Sequence, residues 1–141
     1  SAGGSGGSGE QVARVAALAR TLGRDADPLV GDRLADFWIR ETALRASAQR
    51  SRIPGLVTDR PEALPLMQKL TSTELTQELS DFACELEGDA AGLWIGDPGA
   101  LENAEWQRTY LNSFAGTIAG GTIEILRNIL GERVLGLPKT R

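Results

Sequence analysis

One segment of the chain has residue types and spacing that could bind a ligand: Gly120-Gly121-Thr122, followed by Glu124 and a helical pattern. Glycines let a backbone approach a ligand closely because they lack a Cβ atom. Thr122 is a favoured N-cap residue, and the free N–H groups at the start of a helix suit a phosphate or another anion. The segment therefore predicts an anion-binding turn of modest specificity. The helix dipole alone would also favour Glu124 in the first helical turn.

Other reactive side chains are scarce. The sequence has no histidine and a single cysteine, Cys84, which excludes an intrachain disulfide, zinc sites of the usual kind and histidine-activated nucleophiles. We therefore predict no metal site, and any proton transfer would fall to a carboxylate. Cys84 lies between Phe82 and Leu86 on a helical pattern, so we expect a buried, inert thiol.

Composition narrows the class of protein. A chain of 141 residues suits one domain with one core, and 41% hydrophobic with only 5% aromatic residues favours packed helices. The net charge of −4 without a basic stripe argues against nucleic-acid partners. No apolar run approaches the roughly 20 residues of a membrane span. The first residues do not resemble a signal peptide, and we expect a cytoplasmic protein.

The apolar periodicity predicts five helices and no strand, because no segment shows sustained alternation. Asp27 and Pro28 are a strong N-cap and first-turn pair, and Gly23 is a stop signal for the preceding helix. We therefore predict an all-α, up-and-down helical bundle. The expected helices are Glu10–Leu22, Pro28 to about Arg52, Pro61 or Glu62 to about Glu87, Glu102–Phe114 and Thr122–Leu135.

Several aromatic and aliphatic positions are expected in the core because they recur at helical spacing. Trp94, in a glycine-flanked loop, is instead expected to seal an interface or a pocket. The expected core includes Phe37 and Trp38 on the second helix, Met67, Leu70, Leu75, Leu79, Phe82 and Leu86 on the third, and Trp106, Tyr110 and Phe114 on the fourth.

The N-terminal segment, residues 1–9, consists of glycine and serine apart from one alanine, and it predicts a flexible stretch ahead of a bundle over residues 10–141. Two origins stay open for it. It is either an engineered linker or a native stretch of small residues at the start of the first helix.

The segment from Ile118 to Pro138 resembles the closing segment of acyl-CoA dehydrogenases, which carry a G-G-T-x-E-I-x-R-N turn and helix before E-R-V-L-G-L-P. Leu34-Ala35-Asp36 and Ala43-Leu44-Arg45 are similar to the second helix of the family's C-terminal domain. The turn looks like that of a bacterial subgroup whose members include enzymes acting on bulky acyl-CoAs.

The resemblance implies the C-terminal helical domain of an FAD-dependent flavoprotein that introduces a double bond into an acyl-CoA. It also implies that Gly120, Gly121, Thr122 and Glu124 contact the flavin. The family's N-terminal helical domain and middle β domain have no counterpart in this sequence. Family members assemble as dimers or tetramers, so a homo- or hetero-oligomer of related subunits is the implied partner, and an acyl-CoA the implied substrate.

Three departures from the family pattern bear on the site. Gly120 stands where many members carry the catalytic glutamate, so no catalytic residue is assigned here. The base is cut off upstream of Ser1, supplied by a partner subunit, or absent. Arg20 is one place out from the family's flavin arginine and either contacts a flavin phosphate or is a solvated cation. Glu85 replaces a common glutamine, and its charge would repel a pyrophosphate.

Three functions remain open at this stage. The chain is the C-terminal domain of a dehydrogenase and inactive as an isolated fragment, or it is a non-catalytic partner subunit of a heteromeric dehydrogenase. The third alternative is a stand-alone helical interaction module.

Overall fold

A computed structural model describes residues 10–56 and 60–139 of the chain. Its α-helices are α1 (Glu10–Thr21), α2 (Pro28–Arg50), α3 (Ala63–Glu87), α4 (Glu105–Ile118) and α5 (Ile123–Ile129). Two short 3₁₀ turns, Gly88–Gly92 and Leu101–Asn103, connect α3 to α4, and a π turn, Leu130–Val134, follows α5. These residues contain no strand, so the predicted all-α helical bundle is confirmed. The Gly/Ser segment predicted for residues 1–9 lies outside the described residues.

The connection between α1 and α2 forms as the local sequence predicts. Gly23 takes a left-handed φ of +67°, and the Arg24 N–H donates to the Ala19 carbonyl at 2.8 Å. This is the Schellman arrangement that closes many helices. Asp27 then caps α2, because its Oδ1 accepts a hydrogen bond from the Leu29 N–H at 2.9 Å, with Pro28 in the first turn. Both predicted signals are confirmed.

Helix α3 is central: it packs against α1, α2, α4 and α5. Phe37 of α2 and Phe82 of α3 stack in a tilted pair with ring centroids 5.6 Å apart. Trp106 anchors α4 to the same core and is only 2% exposed. The buried apolar side chains of this core are Val12, Val15, Leu18, Ala19, Val30, Phe37, Leu75, Leu79, Phe82, Ala83, Leu86 and Trp106.

Three residues predicted in the core lie at the surface instead. Trp38 is 50% exposed, Met67 51% and Phe114 42%. Periodicity identifies the apolar stripe of a helix, but the width of the buried stripe depends on how many neighbouring helices cover it. The stripes of α2, α3 and α4 are therefore wider than the surface that this bundle covers.

The boundaries of two helices, α4 and α5, also differ from the prediction. Helix α4 begins at Glu105 rather than Glu102, because Glu102, Asn103 and Ala104 adopt left-handed φ values of 43°, 55° and 57°. It then continues past Phe114 to Ile118. The segment predicted as an α-helix to Leu135 leaves α geometry at Leu130, where the π turn begins.

Candidate functional site

The backbone reverses direction between α4 and α5 at two glycines in the left-handed region. Helix α4 is closed at Ala119, whose N–H donates to the Ala115 carbonyl at 2.8 Å. Gly120 then takes a φ of +70° and Gly121 a φ of +103°. Side chains with a Cβ rarely adopt such angles, so both positions favour glycine on conformational grounds. We refer to residues 119–122 as the double-glycine turn.

Thr122 caps α5, as the sequence predicts. Its hydroxyl accepts a hydrogen bond from the Ile125 N–H at 3.4 Å, and its carbonyl accepts from the Leu126 N–H at 2.9 Å. Leu126 is buried and attaches the helix to the bundle. Arg127 adds an ion pair with Glu74 of α3, with 2.6 Å between the guanidinium nitrogen and the carboxylate oxygen. Helix α3 therefore positions the element that follows the turn.

Helix α3 also reaches the turn directly through Lys69. The Lys69 ammonium donates to the Ala119 carbonyl and, at 3.2 Å, to the Gly121 carbonyl. A Cβ atom added to Gly120 would lie 3.1 Å from this ammonium. Sequence analysis did not single out Lys69. Its role was missed because the contact joins residues some 50 positions apart.

The N–H groups of the turn are left without protein acceptors. Within the described part of the chain, no hydrogen bond uses the N–H of Gly120, Gly121 or Thr122. Gly120 is exposed, and Gly121 and Thr122 are half-buried. Ala119 (φ −65°, ψ 131°) and Gly120 form the corner of a turn that directs the Gly121 N–H back toward Ile118. The N–H groups of Gly120 and Thr122 are therefore available to water or to a ligand, while two carbonyls of the same turn are occupied by Lys69.

Glu124 faces solvent and is fully exposed. The pKa of its carboxyl is lowered, first by a hydrogen bond from its own backbone N–H and then by one from the Thr122 hydroxyl. The carboxylate is thus ionised at neutral pH and engaged with the start of its own helix. Local interactions at the start of α5 therefore explain why a carboxylate is favourable at position 124.

The two outlying candidates lie apart from the double-glycine turn. Arg20 is exposed in the last turn of α1, and its side chain forms no ion pair or hydrogen bond within the described residues. Glu85 of α3 forms an ion pair with Arg33 of α2. The guanidinium of Arg33 in turn stacks 4.1 Å above the Phe82 ring, so the charge of Glu85 is compensated within the bundle.

A buried polar pair that sequence reasoning missed joins α3 to α4. Gln107 donates through Nε2 to Glu87 at 2.6 Å and to the Ala90 carbonyl at 3.2 Å. The remaining oxygens, Glu87 Oε1 and Gln107 Oε1, are buried without a partner. Burial is the main cause that raises the pKa of Glu87, and the nearby charge of Glu102 adds to it. No sequence signal distinguished this carboxylate from the other acidic residues of α3.

Cys84 and Trp94 differ in their burial and their surroundings. Cys84 is half-buried, and desolvation followed by the charges of Glu87 and Asp81 raises its pKa to about 11. The thiol is therefore protonated at neutral pH, which agrees with the predicted inert cysteine. Trp94 lies in the α3–α4 connection and is 45% exposed.

The described residues contain no group of three or more histidine, cysteine, aspartate or glutamate side chains placed to hold a metal ion. Within residues 10–56 and 60–139, no helix is long and apolar enough to cross a membrane.

Comparison with known proteins agrees with this architecture. Residues 2–135 match the family described as "Acyl-CoA dehydrogenase, C-terminal domain". The chain is 39% identical over 125 residues to acyl-CoA dehydrogenase IpdE1 of Mycolicibacterium smegmatis, covering 86% of this chain and 29% of that protein. It is 35% identical to IpdE1 of Mycobacterium tuberculosis, covering 92% of this chain and 32% of that protein. The chain thus spans about a third of the length of these relatives.

A solved structure described as the "Tcur3481-Tcur3483 steroid ACAD" has the same fold. It superposes with a TM-score of 0.77 at 21% identity, covering 94% of this chain and 35% of the solved chain. The family match, the relatives and the fold agree with the resemblance that the double-glycine turn and its helix suggest. The chain therefore belongs to the acyl-CoA dehydrogenase family, in which it corresponds to the C-terminal domain.

Proposed function

We propose that this chain provides the flavin-contacting C-terminal domain of an acyl-CoA dehydrogenase that oxidises the Cα–Cβ bond of an acyl-CoA. FAD is the cofactor of the family in general, and it supplies the acceptor for the hydride from Cβ. The observation that carries the proposal is the pair of N–H donors without a protein acceptor at Gly120 and Thr122. Such donors suit the polar edge of a flavin or its phosphates, since both accept hydrogen bonds.

The residues around the turn fit an anionic or polar cofactor. The Lys69 ammonium places a positive charge behind the turn, and the exposed Glu124 carboxylate is already engaged with its own backbone. Glu85, whose charge would repel a pyrophosphate, is paired with Arg33. Arg20 offers a second cation, and we assign it to a flavin phosphate in the assembled enzyme because its guanidinium has no ion pair within the described residues.

The double-glycine turn does not supply the proton-abstracting base in this proposal. Gly120 has no side chain, and a carboxylate placed there would lie beside the Lys69 ammonium, which would lower its pKa and weaken it as a base. Removal of the α-proton thus falls to a carboxylate elsewhere in the complete protein or on a partner subunit. The isolated chain is accordingly expected to be inactive.

A second candidate function is a partner subunit of a heteromeric dehydrogenase that supports the cofactor without catalysing the reaction. Gly120 at the usual base position favours it, as does the exposed apolar row Leu111, Phe114 and Ile118 on α4. A glutamate on the first helix of this domain in the complete coding sequence would favour the catalytic alternative, and its absence the supporting one.

The test compares two glycines of similar conformation in the complete flavoprotein. Gly121→Val forces a β-branched residue to a φ of +103° where the ligand is proposed to approach. The control is Gly96→Val in the α3–α4 connection, because Gly96 has a φ of +89° with open space around it. Both substitutions should lower the melting temperature, whereas only Gly121→Val should lower the flavin-to-protein ratio. Full flavin content in the folded Gly121→Val protein would mean that the turn only connects α4 to α5 and does not contact the flavin.

A further inference from the structure

We propose that Lys69 is a positioning residue that orients the double-glycine turn toward the flavin; this inference rests on the function proposed above. Its basis is the pair of hydrogen bonds from the Lys69 ammonium to the Ala119 and Gly121 carbonyls. Lys69 lies on α3, whereas the turn joins α4 to α5, so this side chain links the central helix to the turn.

Peptide geometry explains why these two carbonyls matter. In a trans peptide the C=O of one residue and the N–H of the next lie in one plane and point in opposite directions. The described chain has no cis peptide bond. When Lys69 holds the Ala119 and Gly121 carbonyls, the N–H groups of Gly120 and Thr122 must therefore point away from the ammonium. These two donors lack an acceptor within the described residues.

The strength and the fit of the contact support a positioning role. Hydrogen bonds from a charged donor are about twice as strong as neutral ones. The ammonium approaches so closely that a Cβ atom on Gly120 would lie 3.1 Å from it. Gly120 therefore serves two purposes: it adopts the left-handed φ of +70°, and it leaves space for Lys69. A side chain at position 120 would require the end of the flexible Lys69 side chain to shift by a few tenths of an ångström.

Helix α3 is suited to carry this residue. Lys69 is half-buried, and its own carbonyl accepts a hydrogen bond from the Thr73 hydroxyl at 2.8 Å one turn later. The same helix holds α5 through the Glu74–Arg127 ion pair. The turn is thereby fixed to α3 both at its carbonyls and just beyond it, and its free N–H groups are presented in one orientation.

The experiment uses the complete flavoprotein with Lys69→Met, Lys69→Arg and Lys139→Met. Methionine has the unbranched shape and the helix propensity of lysine, is one atom shorter, and has no donor. The only other lysine of the chain is Lys139, which is exposed, so Lys139→Met removes the same charge without touching the turn. Two quantities are measured: hydrogen–deuterium exchange of a peptide covering residues 119–126 in the flavin-free protein, and the flavin dissociation constant. Melting temperatures verify that each variant is folded.

Lys69→Met removes both hydrogen bonds of the ammonium and should accelerate exchange of the amides at Ala119, Ile125 and Leu126 by at least about tenfold, the effect of losing one charge-assisted hydrogen bond. It should also raise the flavin dissociation constant by roughly the same factor. Lys69→Arg should restore part of both, and Lys139→Met should change neither.

Unchanged exchange over residues 119–126 in folded Lys69→Met would overturn the positioning role, whatever happens to the flavin. Accelerated exchange with an unchanged flavin dissociation constant would overturn the proposed flavin contact while leaving the link between Lys69 and the turn intact. Equal effects of Lys139→Met and Lys69→Met on flavin affinity would overturn positioning in favour of a general charge effect.

Discussion

The α1–α2 connection and the double-glycine turn differ in how their backbone groups form hydrogen bonds, although both contain glycine in the left-handed conformation. In the α1–α2 connection, the Gly23 and Arg24 N–H groups donate to the Arg20 and Ala19 carbonyls at 3.0 and 2.8 Å. In the double-glycine turn, a side chain from α3 takes the carbonyls and the N–H groups have no acceptor within the described residues. The first turn is complete within the chain, whereas the second has donors available for a ligand.

The helices next to these turns show the same contrast. Helix α1 buries four side chains in the core: Val12, Val15, Leu18 and Ala19. Helix α5 buries Leu126 alone and exposes 52% of Ile125. A site that must accept a cofactor or a partner cannot have all its groups satisfied internally, so the weaker packing of α5 agrees with a function at the turn before it.

The largest expected effect is a difference in stability between a variant of α1 and a variant of α5. Leu18→Ala removes a core side chain that is 5% exposed and should lower the free energy of unfolding by about 2–5 kcal/mol. Ile125→Ala, at a position that is half exposed, should change it by less than about 0.5 kcal/mol. Chemical denaturation of both variants measures the difference. Equal losses would contradict the view that α1, and not α5, carries the core.

A second prediction concerns the position where many relatives carry a base. Gly120→Glu should cost about 1–2 kcal/mol of stability, because it places a side chain at a φ of +70°. It should bring no gain of dehydrogenase activity in the complete enzyme, since the new carboxylate would pair with Lys69. Gly120→Ala is the matched control: it shares the conformational cost and lacks the carboxylate. Higher turnover of acyl-CoA by Gly120→Glu than by Gly120→Ala would contradict the prediction.

The contact between the end of α3 and α4 is intermediate between the two turns compared above. Its buried polar side chains, Glu87 and Gln107, have only part of their hydrogen bonds satisfied. Burial raises the pKa of Glu87, so the folded state holds the proton more tightly than the unfolded chain. The contribution of this group to stability is therefore complete below the ordinary carboxyl pKa and is lost as the pH rises through the raised value. Protonation removes a charge whose second oxygen is buried without a partner.

Glu87→Gln should accordingly stabilise the protein by about 1 kcal/mol at neutral pH, because an amide can both accept from Gln107 and donate to it. The advantage should shrink as the pH falls through the raised pKa of Glu87, and it should be smallest below the ordinary carboxyl pKa. Denaturation curves at several pH values measure this, with Glu62→Gln at an exposed position as the control. A stability difference that does not depend on pH would show that Glu87 does not titrate as its burial requires.

The sequence predicted those features of the fold that depend on only a few neighbouring residues, such as helix caps. The caps at Asp27 and Thr122 form as expected, because each needs only a short side chain and the next few residues. The family resemblance predicted the domain for the same reason, since it is carried by a contiguous segment.

Features that depend on distant residues could not be predicted in this way. The start of α4 was misplaced because three non-glycine residues, Glu102, Asn103 and Ala104, adopt left-handed angles for which they have no local preference. Arg14 of α1 interacts with this segment, with ion pairs to Glu102 and Glu105 at 3.5 and 3.6 Å. Nothing in the order of the residues places Arg14 there. Lys69 was overlooked for the same physical reason.

The smallest effect on stability is expected on the exposed face of α4. Leu111, Phe114 and Ile118 lie three and four residues apart and are 58%, 42% and 67% exposed, so they form one apolar row. Exposed apolar surface of this kind marks interfaces in soluble proteins, and we expect the isolated chain to self-associate through this row.

The double variant Leu111→Ser, Ile118→Ser should weaken association, at a cost of no more than about 1 kcal/mol in stability, because both side chains are already largely in water. The control is Leu29→Ser, Ile39→Ser on α2, where the exposures are 75% and 67%. Sedimentation at increasing concentration distinguishes the two surfaces. Association should fall only in the α4 variant if the face near the double-glycine turn is the interface, and a fall of equal size in the α2 variant would mean that the chain merely aggregates through exposed apolar side chains. A monomeric wild-type chain at high concentration would contradict an interface on this face of α4.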